Sequence, residues 1–233
     1  MSGANPAERE YTLALLVLTV ATGAVDGVSY LALDRVFTGN MTGNVLFIGF
    51  GLVGVADIPV LNNLVALLTF LLGAALGSRL TRRGVGTTRL PRSSMAVLLV
   101  DTVGVLVLGV VWLVAGRIST PTMIVLTGLL ALLLGAQASA VKHIGIRDLS
   151  TVVVTMTMVN LAGDSRLGGG QGAAWSRRLG AIVTMGLGAL ASAFVVRHLG
   201  GAYGVLLAGL VMAGATALMH RARRAELRAP AAA

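Results

Sequence analysis

The densest group of polar side chains in the sequence is Phe37-Thr38-Gly39-Asn40-Met41-Thr42-Gly43-Asn44, at the start of a short apolar segment. Asn and Thr side chains accept hydrogen bonds from the orphan N–H groups of a first helical turn, so capping is one role open to them. The same position offers binding chemistry. Free N–H groups and the positive end of the helix dipole attract an anion or a carbonyl oxygen, and Gly39 and Gly43 let a ligand come close to the backbone. One cap does not need two Gly and two Asn, so Asn40, Thr42 and Asn44 are read as solute-binding residues. Asp26 stands among Gly23, Gly27 and Ser29 in an otherwise apolar run. A carboxylate at membrane depth is costly and marks a solute pathway or proton relay; a hydrogen bond to a neighbouring helix is its structural alternative. Gln137 occupies a comparable depth in a later segment. Its amide both donates and accepts, which suits a polar solute as well as an interhelical bond. Thr155, Thr157 and Asn160 complete the expected site, with Thr151 beside them, although membrane threonines often bond only their own i−4 carbonyl. Asp101 is closer to an Arg-rich stretch and is expected to pair with an arginine there.

Other chemistry has little support. His143, His198 and His220 each end a different segment, the chain holds no cysteine, and no HExxH occurs, so no metal site is expected. No serine lies in a GxSxG context, which argues against a buried nucleophile. The Gly168-Gly169-Gly170-Gln171-Gly172 stretch lacks the Lys-Ser/Thr of a phosphate loop and reads as a linker. Neither enzymatic activity nor a cofactor is expected.

The elements that must hold these residues are set by composition. Of 233 residues, 56% are hydrophobic and 12% charged, with a mean hydropathy of +0.88. Soluble chains are about 25% charged, so a soluble enzyme, a nucleic-acid binder and a disordered tail are all excluded. The net charge of +9 belongs to basic residues between apolar runs, the pattern of membrane topology and not of a nucleic-acid face. Apolar segments fall at 11–33, 41–56, 60–80, 94–115, 121–141, 150–163, 179–196 and 201–220. A hydrocarbon core of about 30 Å needs roughly 20 helical residues. The second and sixth segments reach only about 21 to 24 Å. The first lacks a basic n-region and is too long for a signal peptide, so it is read as a retained span.

Charge placement tests the number of crossings. If all eight segments crossed, the 18 basic residues would divide evenly between the two sides. If the two short segments enter and leave on one side, only Arg35, Arg117 and Arg197 lie outside and the other 15 lie inside. Cytoplasmic loops collect Lys and Arg, so the second arrangement is expected, with both termini cytoplasmic. The chain is then one all-α membrane domain, 1–233, with six spanning helices and two short re-entrant or broken ones. The order long, short, long, long occurs twice, in 1–117 and 118–233. An odd number of spans in each half makes this an inverted 3+3 repeat. Such repeats hold solutes near the midplane, at their interface.

The run Thr22-Gly23-x-x-Asp26, followed by Tyr30-Leu31, Val36-Phe37 and Asn40-Met41-Thr42-Gly43-Asn44, resembles the signature of the YoaK-like family of bacterial membrane proteins. The similarity runs over residues 11–221, and its first-half signature is the specific part. The resemblance implies roughly six membrane helices of about 20 residues each and a place in the bacterial inner membrane, and it supplies no substrate. In the second half the family's Gln-Asn-Ala and Thr-Gly patterns are not kept. Gln137 is followed by Ala138 and Thr155 by Met156, which weakens any shared role at those positions.

The expected function is a small secondary transporter or permease for a polar or anionic solute. Asp26, Asn40, Thr42, Asn44, Gln137, Thr155, Thr157 and Asn160 would line its site. A non-transporting scaffold or assembly partner, or a channel, is the alternative. The expected partners are the bilayer, with anionic lipids at the Arg79–Arg92 cluster, and a small solute, with no nucleic acid. Oligomeric state is not readable from the sequence.

Overall fold

A computed structural model describes residues 6–82, 88–142, 144–146, 154–170, 172 and 174–228. Arg83, His143, Arg147, Thr151 and Gln171 lie outside the described residues. The described chain forms α1 (Pro6–Ala32), α2 (Met41–Leu52), α3 (Val60–Arg82), α4 (Arg92–Ala115), α5 (Thr120–Lys142), α6 (Val154–Gly163), a 3-10 turn (Arg166–Gly168), α7 (Trp175–Leu199) and α8 (Gly201–Arg228). Six of these helices, α1, α3, α4, α5, α7 and α8, are long and apolar enough to cross a membrane. The short α2 and α6 are apolar but not long enough.

Local chemistry sets the helix ends. Pro91 precedes α4 and Pro121 stands in the first turn of α5, where a missing N–H costs nothing. Gly200, with φ +105°, ends α7 and lets α8 start at the next residue, a conformation that a side chain would strain. The second apolar segment was expected to continue to 56, but α2 stops at Leu52 because the chain turns through Gly54 at φ +84°.

Contacts between helices fix their directions. α1 and α8 are antiparallel: the Tyr11 hydroxyl donates to Glu226 at 3.0 Å near one end, and Val28 lies against Gly204 near the other. α4 and α8 are also antiparallel, with a Thr102–Thr216 hydroxyl pair at 3.0 Å and Gly109 against Leu206. α1 and α4 therefore run the same way. Had α2 crossed the bundle, α1 and α4 would be opposed; had α6 crossed, α4 and α8 would be parallel. Both short helices thus return to the end they started from. For α2 a hydrogen bond shows this directly: the Asn62 amide at the start of α3 donates to the Leu33 carbonyl just after α1, at 2.7 Å.

The core is built on close helix crossings. α1 packs on α7 and α8, α3 on α5, and α4 on α8 and α5. Small residues let membrane helices approach closely. A methyl group on Gly73 would run into the Leu132 carbonyl, and one on Gly135 into the Phe70 carbonyl. Across the α1–α7 crossing, a methyl on Gly188 would meet the Val20 carbonyl and one on Gly23 the Met185 carbonyl. On the third crossing Gly109 faces Leu206 and Gly209 faces Leu106. α1 and α5 are the most buried of the six long helices, and α7 is the least.

Candidate functional site

α1 carries Asp26 six residues before its last residue, Ala32, which is about 9 Å along the axis. After α1 the chain turns back into the bundle. The backbone N–H groups of Thr38 and Gly39 donate to Asp26 Oδ1 at 2.9 and 2.6 Å, and the Thr38 hydroxyl lies at 3.4 Å. This is why residues 34–40 dip to the level of Asp26 before α2 leads outward again. Gly39 makes the contact close: a Cβ there would lie 3.1 Å from Leu134 Cδ2 of α5, and 3.2 Å from both Asp26 Oδ2 and Thr22 Cγ2, so these side chains would have to give by a few tenths of an ångström. Asp26 is buried, and its Oδ2 has no hydrogen-bond partner. Ser29 holds the floor of the turn, donating to the Asp26 carbonyl at 3.1 Å with Thr38 Oγ1 at 3.5 Å.

Asn44 is fully buried and clamps the same turn. Its Oδ1 accepts from the Phe37 N–H at 2.9 Å, and its Nδ2 donates to the Phe37 carbonyl at 2.6 Å. The Phe37 ring stacks on Tyr30 and Phe47, with centroids 5.1 and 6.1 Å away, forming an aromatic layer over the turn. Across the bundle, Gln137 Nε2 donates to Thr22 Oγ1 at 3.2 Å, while its buried Oε1 has no partner. The hydroxyl of Thr22 in turn donates to the Leu18 carbonyl at 3.1 Å.

The structure therefore brings together Asp26, Asn44, Gln137 and the backbone at Gly39. Asn40 stands as N-cap of α2 without a side-chain cap bond, and its side chain and that of Thr42 are exposed. The second-half residues are elsewhere. α6 packs on α7 and on the 3-10 turn, with Thr155 exposed, Thr157 buried and Asn160 half-buried. The Asn160 carbonyl accepts from Arg178 Nη1 at 3.0 Å, and Arg178 also pairs with Asp164 at 2.6 Å.

Among the described residues, Asp101 has no arginine partner of the kind expected. It is buried in α4 with Oδ2 unpartnered, nine residues from Arg92, so sequence proximity to the arginines did not become contact. Thr22, Thr38 and Asn62 are the site neighbours that sequence reasoning did not select. Asn62 and Asn63 were visible as adjacent amides opening a long apolar segment, and the Asn62 Oδ1 is a further buried acceptor without a partner.

A bundle of long apolar helices with a buried polar turn folded into it defines a multi-pass membrane protein. A family model described as "Protein of unknown function (DUF1275)" matches residues 14–219, and the chain belongs to that family. It is also 30% identical over 158 residues to the UPF0700 transmembrane protein YoaK of Bacillus subtilis (strain 168), covering 68% of each chain. No solved structure matches it.

Proposed function

We propose that the protein is a secondary transporter or permease for a small polar solute, not an enzyme. The carrying observation is the pair of unsatisfied acceptors, Asp26 Oδ2 and Gln137 Oε1, buried where the re-entrant turn meets α1 and α5. A buried polar atom without a partner is costly, and a site that opens to admit a donor-bearing solute or a proton gives these two a partner. The backbone N–H groups of Thr38 and Gly39 are already bonded to Asp26, so a solute carrying N–H or O–H donors suits the two unpartnered acceptors better than an anion.

The inverted repeat belongs to the same proposal and is supported by the glycine crossings. Adding 112 to Val20 and Gly23 gives Leu132 and Gly135; adding 115 to Phe70 and Gly73 gives Met185 and Gly188. The two crossings then use equivalent residues: Gly23 against the Met185 carbonyl corresponds to Gly135 against that of Phe70, and Gly188 against Val20 to Gly73 against Leu132. Paired halves of this kind rock against each other in alternating access. The charge asymmetry supports an inner-membrane setting with both termini cytoplasmic, and anionic lipids at Arg79, Arg82, Arg89 and Arg92.

Asn44 favours a second reading, a non-transporting scaffold, because both ends of its amide are used up on Phe37. A thermal-shift panel of amino acids, amines, polyols and inorganic anions separates the two. Binding to the folded state must raise Tm. Transport predicts a compound that raises the Tm of wild type and fails with Asp26→Asn. The scaffold predicts a lower Tm for the variant and no shift with any compound.

A further inference from the structure

We propose that a groove on the lipid-facing side of α3, α4 and α5 binds an amphiphilic organic cation, with its charge against Asp101. α3 and α4 follow one another in sequence but touch little, since α3 packs chiefly on α5 and α4 on α8. Between them lies a half-open cavity of about 350 Å³, walled by Gly73, Gly77, Val97, Val100 and Leu133. Asp101 forms part of this wall, only 1% exposed, with Oδ2 lacking any hydrogen-bond partner. Two turns nearer the arginine-rich end, the Ser93 hydroxyl lines the same groove and is also buried and unpartnered.

The chemistry of the walls selects the occupant. An anion would face a carboxylate with no basic group lining the groove among the described residues. An inorganic cation would find a single carboxylate among alkyl groups, and no cluster of three His, Cys, Asp or Glu that could hold a metal occurs among the described residues. A cation that carries its own apolar body satisfies both the carboxylate and the Gly, Val and Leu walls, and it reaches the groove from the bilayer. The volume lies in the range of small-molecule sites, about 300–1,000 Å³. Glycines at 73 and 77 make the floor by bringing the α5 backbone close to α3. This groove is separate from the Asp26 turn, whose carboxylate is already bonded by Thr38 and Gly39.

Equilibrium dialysis of radiolabelled tetraphenylphosphonium against the purified full chain in detergent tests the proposal. Wild type should bind saturably at one site, and Asp57→Asn, which removes an exposed carboxylate away from the groove, should bind equally well. Asp101→Asn should bind at least tenfold more weakly. Val100→Trp leaves the carboxylate in place and fills the groove from its exposed, lipid-facing rim, so it should weaken binding to a similar degree even if Asp101→Asn misfolds. Neutral triphenylphosphine oxide should not compete. Absence of saturable binding to wild type, undiminished binding to both groove variants, or equal competition by the neutral compound would each overturn the assignment.

Discussion

Asn44 shows how one side chain can hold a non-helical turn inside an apolar bundle. Irregular backbone at membrane depth survives only where its polar groups find partners. Phe37 meets that demand through both polar atoms of a single amide. Asn44→Ala strips the N–H and the carbonyl of Phe37 at once. Each orphaned group costs about 1–3 kcal/mol, so the variant should melt well below wild type in detergent. Asn44→Asp keeps the acceptor and loses the donor, and its Tm should fall between the two. Equal Tm values for wild type and Asn44→Ala would show that the clamp contributes nothing. Sequence revealed this residue as important but assigned it to solute. Its actual partner is seven positions upstream, in a turn whose path depends on Asp26. Asp101 was misread for the complementary reason, because helix geometry carried Arg92 two and a half turns away. At this scale a polar residue in an apolar run was legible, and its partner was not.

Among the elements, the long spans were legible because bilayer thickness fixes their length, and the two short segments stood out by failing that test. Which helix packs on which was hidden. The deciding interfaces are made of Gly, Ala and Ser, which occur throughout this chain and carry no directional pattern. Only contact distinguishes a glycine that seats a neighbouring backbone from one that faces lipid. That distinction predicts opposite signs for the same substitution. Gly186 has open space where a Cβ would go, so Gly186→Ala should stabilise α7 by about 0.4–1 kcal/mol through the unfolded chain. Gly188→Ala, two residues on, would press a methyl into the Val20 carbonyl and should lower Tm by forcing α1 and α7 apart. A rise in Tm for both variants would mean that the crossing is looser than described.

For the molecule as a whole, the parity of helix directions is the strongest constraint. It rests on side-chain pairs at both ends of α8 and needs no knowledge of where a membrane lies. Because the chain holds no cysteine, single-cysteine variants can test it without background labelling. Asp34→Cys and Asp57→Cys flank α2 and should react with an impermeant maleimide from the same face of a vesicle. Arg92→Cys and Arg166→Cys should react from the opposite face. Labelling of Asp34→Cys and Asp57→Cys from different faces would make α2 a further crossing and overturn the proposed repeat. The arginine-rich end is also where the chain closes on itself. Glu226 of α8 takes the Tyr11 hydroxyl at 3.0 Å and the Arg89 backbone N–H at 3.1 Å, and Arg89 reaches back to Glu8 at 3.2 Å.

The packing of α1 sets an order of events during synthesis. A ribosome delivers α1 first, yet the helices that bury it, α7 and α8, begin only at Trp175 and Gly201. The nascent helix must therefore wait in or beside the insertion machinery with its glycine face unmatched and a carboxylate on board. Asp26 need not wait with it, because the donors it uses lie only 12 and 13 residues further on. The re-entrant turn can close over the carboxylate as soon as α2 emerges. Gln137 arrives next, to meet Thr22, and α7 and α8 seal the bundle last. The turn is thus an early shield for the carboxylate, and the last two helices to be made are the ones that complete the seat of the first.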